Sequence, residues 1–149
     1  MIEKELKSVL QLEKFENKAI LISDVINSEL PLAIQQDQLF EVKSNGEIKG
    51  YYYLGTAYGK ADYFDFMVIF DMDLLISKVK MLVYREDHGG EIGSKRWLKQ
   101  FIGSKNDKEL QFEKDIVGIS GATISARSMT IEINKLLKTM YILNKKQLF

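Results

Sequence analysis

The sequence predicts one α+β domain: an antiparallel sheet with a helix at either end. Three observations predict it. Four strand-like runs follow one another between Gln38 and Tyr84 with short links, the pattern of an antiparallel meander. From Met129 onward, apolar residues recur at Met129, Ile133, Leu136, Leu137 and Met140, the period of one buried helix face. The first residues, Met1-Ile-Glu-Lys-Glu-Leu-Lys-Ser, are charged, with Leu6, Val9, Leu10 and Phe15 on one side.

Taken in order, the N-terminal segment reads as a helix through about Asn17. A mixed apolar stretch, Ala19–Ile26, follows, and Pro31 marks a break. Residues 1–37 are thus expected to form a helical extension, and 38–143 the core of a single domain spanning 1–149. Strands are expected at Gln38–Lys43 and Glu47–Leu54, joined through Ser44-Asn45-Gly46, because Asn-Gly favours the primed turns of hairpins. Gly55-Thr-Ala-Tyr-Gly59 interrupts the pattern, which resumes at Tyr63–Phe70. Asp71-Met-Asp-Leu then turns the chain into Ile76–Tyr84, and Asp71 and Asp73 suit that turn for their own hydrogen bonding. Arg96–Phe101 reads as a short helix, and Thr123 to about Leu143 as a long one.

Composition excludes several classes. At 149 residues the chain is long enough to bury roughly two thirds of its unfolded surface. Its 21 basic and 21 acidic residues balance, with no basic run interleaved with aromatics, which argues against nucleic acid as a partner. There is no cysteine, so disulfides, thiolate metal sites and thiol catalysis are excluded. A single histidine, His88, rules out a multi-histidine metal centre within one chain. No apolar run is long enough to span a bilayer, and no signal-peptide core is visible.

The chemistry concentrates in Asp115-Ile-Val-Gly-Ile-Ser120-Gly121-Ala122-Thr123-Ile-Ser125, directly before the long helix. A Ser-Gly-Ala-Thr turn there can cap the helix, or it can present free N–H groups to a phosphate. Gly121 permits a positive φ and a close approach to the backbone. A second block, Val83-Tyr-Arg-Glu86-Asp-His88-Gly89-Gly90-Glu91-Ile92-Gly93, is followed by Trp97-Leu-Lys-Gln-Phe101-Ile-Gly103.

Together these two blocks resemble the FMN-binding domain family. Its members include the flavin-carrying subunits of the sodium-pumping NADH:quinone reductase and of the Rnf electron-transfer complex, and the flavin domain of the nitrous oxide reductase regulator. The likeness runs from about Gly50 to Leu137. The loop reads Glu-Asp-His-Gly-Gly-Glu-Ile-Gly where the respiratory subunits more often have Glu-Thr-Pro-Gly-Leu-Gly, closer to the regulator-like and stand-alone branch.

The resemblance implies FMN joined through its phosphate to Thr123 by a separate flavin transferase. Ser120, Gly121, Ala122 and Ser125 would surround the phosphoester, with plain capping as the alternative for the serines. Asp115 matches the family's leading acid, assigned to transferase recognition or to fixing the loop, or else simply exposed. Glu86, His88, Gly89, Gly90 and Glu91 would approach the flavin edge; Glu86 suits an acceptor for loop N–H groups, and His88 either donates to the ring or decorates the loop. Tyr58 and Trp97 are candidate stacking partners, or core. The implied role is an electron carrier with membrane-associated redox donor and acceptor, extracytoplasmic like many relatives, with no catalytic residue acting on a separate substrate. A loosely held FMN-dependent reductase and a flavin-free sensory or structural domain are the rival readings.

Overall fold

A computed structural model describes residues 1–86 and 90–149, with the side chains of Gly90 and Glu91 outside that description. Five strands form one antiparallel sheet in sequence order: β1 (Glu16–Ala19), β2 (Leu39–Ser44), β3 (Glu47–Tyr58), β4 (Tyr63–Phe70) and β5 (Ile76–Tyr84). Helix α1 (Ile2–Val9) packs on one face, and the long C-terminal helix α4 (Thr123–Lys145) on the other. Short helices α2 (Asp24–Asn27) and α3 (Lys95–Leu98) lie in the connections, and a 3₁₀ turn carries α3 on to Phe101. The expected α+β class therefore holds. Among the described residues, no helix is long and apolar enough to cross a membrane.

Both sheet faces are covered, which explains the nearly continuous apolar run of β4. Phe64, Phe66, Val68 and Phe70 point to the α4 side, and Met67 and Ile69 to the α1 side. Alternation of side chains along a strand requires that split. From α4, Met129, Ile133, Leu136, Leu137 and Met140 are buried as the periodicity predicts. Burying each such side chain stabilises the fold by about 1.5–3 kcal/mol, so α4 is the main cover of the sheet. The Asn45-Gly46 turn has positive φ at both residues (53° and 79°), as a type I′ hairpin demands.

Three elements differ from the sequence reading. Helix α1 stops at Val9, not near Asn17. Gln11 takes a left-handed φ of 56°, and the Leu12 N–H donates to the Lys7 carbonyl (2.9 Å), closing the helix with a Schellman-type turn. The apolar residues Leu10 and Phe15 still pack against the core on the α1 side, outside the helix, and their spacing mimicked a longer one. Residues 16–19, expected to be helical or just beyond, form the edge strand β1, with Glu16 opposite Lys43 and Lys18 opposite Glu41. Strand β3 also runs on to Tyr58 through the expected interruption. Gly55 lies opposite Phe66, where a Cβ would meet the Tyr53 ring and come within 2.8 Å of Phe66 Cζ. That glycine makes room for two rings rather than turning the chain.

Candidate functional site

The motif before α4 folds as a tight turn. The Ala122 N–H donates to the Ile119 carbonyl (3.0 Å), and Gly121, in third position, has φ +81°. A positive φ there is the signature of a type II turn. Nothing lies within 4 Å of the point where a Gly121 Cβ would stand, so the turn faces open space. Helix α4 starts at Thr123 with Ala122 as its N-cap, and no side chain caps it. Neither Ser120 nor Ser125 plays the capping role. The first backbone bond into the helix is Ala126 N–H to the Ala122 carbonyl (3.0 Å). The N–H groups of the preceding turn therefore lack intrahelical partners, as at any helix start.

The five motif residues divide by exposure. Ser120, Gly121 and Thr123 are exposed, whereas Ala122 and Ser125 are buried. The Ser125 hydroxyl points inward, 3.4 Å from the Tyr84 hydroxyl. Beside it, the Ser128 hydroxyl accepts the Tyr58 N–H (3.1 Å), tying α4 to the end of β3. Thr123, Ile124, Arg127, Ser128 and Ile131 line a shallow groove of about 380 Å³. A neighbouring cleft of about 400 Å³ shares only Ile131 and lies further along α4, beside Pro31 and Lys108. The motif opens on the first of these, which is why that groove is the candidate site.

Glu86 acts as a structural acceptor, at a place the sequence did not foretell. Its carboxylate accepts the Ala61 N–H (2.6 Å) and the Asp62 N–H (3.1 Å), fastening the β3–β4 turn to the exit of β5. Those two backbone hydrogen bonds, Ala61 first, hold its carboxyl below the usual range. Gly59 sits between this carboxylate and α4. A Cβ on Gly59 would run into Glu86 Oε1 and come within 2.7 Å of Ser125 Oγ. Of the remaining loop residues, His88 and Gly89 lie outside the described residues. Gly90 and Glu91 begin a 3₁₀ turn, Gly90–Gly93.

Asp115 fixes a loop. It accepts the Gln111 N–H (2.8 Å) and the Lys108 ammonium (3.2 Å), and both lower its carboxyl's titration, the backbone bond most. Trp97 is buried, and its indole N–H donates to the Val117 carbonyl (2.7 Å). Gln100 accepts the Val117 N–H (2.8 Å). These two residues pin the strand of chain that leads into Ser120, so Trp97 belongs to the core rather than to a stacking face. Tyr58 is 68% exposed and pairs with Tyr63, ring centres 6.3 Å apart. Asp71 accepts the Asp73 and Leu75 N–H groups, a self-contained turn. Among the described residues no cluster could hold a metal ion.

Sequence reasoning missed Gly59, Gln100, Arg127 and Ser128 as site residues. Gln100 stood in the quoted block, but only the fold shows it reaching Val117. Arg127 and Ser128 were legible in principle, because Arg127 is four residues from Thr123 on a helix and Ser128 five.

Compared with known proteins, the sequence model of the FMN-binding domain family matches residues 59–138, more than half of the chain. The match begins at Gly59 and takes in β4, β5 and the first four turns of α4. No curated protein matches the chain. FMN is the cofactor this family indicates, and the residues present fit it. A phosphate needs N–H donors, which the uncapped first turn and the open Gly121 turn provide, and Arg127 adds a cation. A flavin ring needs an apolar wall, and Ile124 and Ile131 line the same groove.

Proposed function

The chain belongs to the FMN-binding domain family, and on that premise we propose that it is an electron-carrying flavoprotein whose FMN is esterified through its phosphate to Thr123 by a separate flavin transferase. One observation carries the reading: Thr123 is the exposed first residue of α4, on an uncapped helix start beside an open groove. A foreign active site can reach that hydroxyl without dismantling the core. A neutral threonine is a poor nucleophile, and no base is hydrogen-bonded to it among the described residues. The transferase must supply the base. In the coupling, a bond forms between Thr123 Oγ1 and phosphorus, and the hydroxyl proton passes to that base. A leaving group departs from the same phosphorus, so the flavin donor carries an activated phosphate.

Bound FMN supplies reversible uptake and release of electrons. The chain's own residues hold it and set its surroundings. The first-turn N–H groups and the positive end of the α4 dipole favour the diester's charge. Gly121 lets the phosphate approach the backbone. Glu86 fastens the β3–β4 turn to the exit of β5, and Ser128 ties α4 to the end of β3 through the Tyr58 N–H. In this reading the chain is a carrier and not a substrate-converting enzyme. Its donor and acceptor are membrane-associated redox proteins, and it works on the outer side of the cytoplasmic membrane.

Acid precipitation of transferase-treated protein tests the linkage. The yellow colour stays with the pellet if the bond is covalent. Release of all flavin into the supernatant contradicts esterification and supports a loosely held FMN.

A further inference from the structure

Asp115 folds residues 111–116 into a loop. Its carboxylate takes the Gln111 N–H, Phe112 bridges to Ile116, and Glu113 adopts φ +67°. The loop presents two groups to α4. The Phe112 ring lies 5.2 Å below the Arg127 guanidinium, and the Glu113 carboxylate is 3.9 Å from it. Both contacts are weak. The ion pair is at the limit of range, and with side chains 60% and 64% exposed, solvent screens most of its attraction. Arg127 is parked there rather than locked.

Arg127 also lines the groove that opens at Thr123, one helical turn away. Residues four apart share a helix face, and a helical side chain covers the turn N-terminal to its own Cα. That direction is towards Thr123. We propose that Arg127 is the counter-charge of the phosphate carried by Thr123, and that the Asp115-held loop is its resting place. The inference rests on the esterification reading. A phosphodiester keeps one negative charge, and the guanidinium fork suits two of its oxygens. Release from Glu113 sacrifices little, while the new pair sits beside a helix N-terminus that favours the same anion. Asp115 is then a positioning residue. Its own carboxylate is engaged by the Gln111 N–H and the Lys108 ammonium.

The protein has three arginines, Arg85, Arg96 and Arg127, which makes a direct test possible. The wild-type chain, before and after flavin loading, is treated with phenylglyoxal, and the adducts are located by peptide mass. Arg127 is modified in the flavin-free protein and protected in the loaded one, whereas exposed Arg96 reacts equally in both. Phosphorus NMR of loaded variants separates charge pairing from mere shielding. The diester resonance shifts in Arg127→Gln and returns towards the wild-type position in Arg127→Lys. Equal Arg127 modification in the loaded protein, or an unmoved resonance in Arg127→Gln, overturns the inference. The protection experiment uses the wild-type chain, so it decides even if Arg127→Gln fails to load. A chain that gains no FMN mass removes the esterification reading itself; one that gains it with Arg127 still reactive removes this inference alone.

Discussion

Gly59 and Gly121 flank the same site for different physical reasons, and substitution should separate them. At Gly59 the backbone is ordinary but the space is taken, by the Glu86 carboxylate and by Ser125 Oγ at 2.7 Å. Gly59→Ala displaces the Glu86 carboxylate from the Ala61 and Asp62 N–H groups and crowds the Ser125 hydroxyl, and loss of such hydrogen bonds costs about 1–3 kcal/mol. Urea unfolding should show the midpoint falling; an unchanged midpoint would mean the Glu86 carboxylate gives way without losing its N–H donors. At Gly121 the space is open but φ is +81°. Gly121→Val strains one exposed turn by about 1–2 kcal/mol and leaves the domain folded. It impairs flavin loading, because the backbone no longer lets the phosphate approach. Equal loading of the two proteins would sink this account of the glycine. Gly121 was legible in the sequence because its neighbours in the turn are its neighbours in the chain. Gly59 was not, since the atoms that crowd it arrive from β5 and α4.

Helix α1 shows how a short amphipathic element is held in place. Its one fully buried side chain is Leu6, and Glu5 beside it receives two ammonium groups, Lys78 at 2.6 Å and Lys80 at 2.9 Å. The hydrogen bonds from Lys78, then Lys80, push its carboxyl down to about 2 from an ordinary 4.5. A lowered folded-state value means stability present above about 4.5 and lost as the pH falls towards about 2. Glu5→Gln should therefore be less stable than wild type by about 1–2 kcal/mol near neutrality, with the gap closing across that acid window. A gap independent of pH would assign the loss to packing and not to the ion pairs. The sequence revealed that α1 exists and which face it buries, because those follow from periodicity. Its end was hidden: Gln11 supplies the left-handed residue that glycine usually signals. Strand β1 was hidden too, since Glu-Asn-Lys-Ala has no strand propensity and is recruited by β2. Strands β2, β4 and β5 were readable because turn residues bound them.

Across the whole molecule, the sheet brings together segments far apart in the chain. The end of β3, the exit of β5 and the first turn of α4 meet at Gly59, and Trp97 and Gln100 pin the approach to Ser120 through Val117. Both quoted sequence blocks were visible beforehand as chemistry, Ser-Gly-Ala-Thr for phosphate and the Gly-rich loop for close backbone approach. What could not be read was that one block anchors the other, because an indole-to-carbonyl hydrogen bond leaves no pattern in sequence. The resulting frame presents a single exposed threonine at an uncapped helix start, with its neighbours Ala122 and Ser125 buried beneath. The central claim concerns that hydroxyl. Intact mass should be measured for the protein produced with and without a flavin transferase, alongside Thr123→Ala. The account predicts a gain of one FMN moiety in the wild-type chain, only with the transferase, and none in Thr123→Ala. An unchanged mass in every sample, or the same gain in Thr123→Ala, would contradict it.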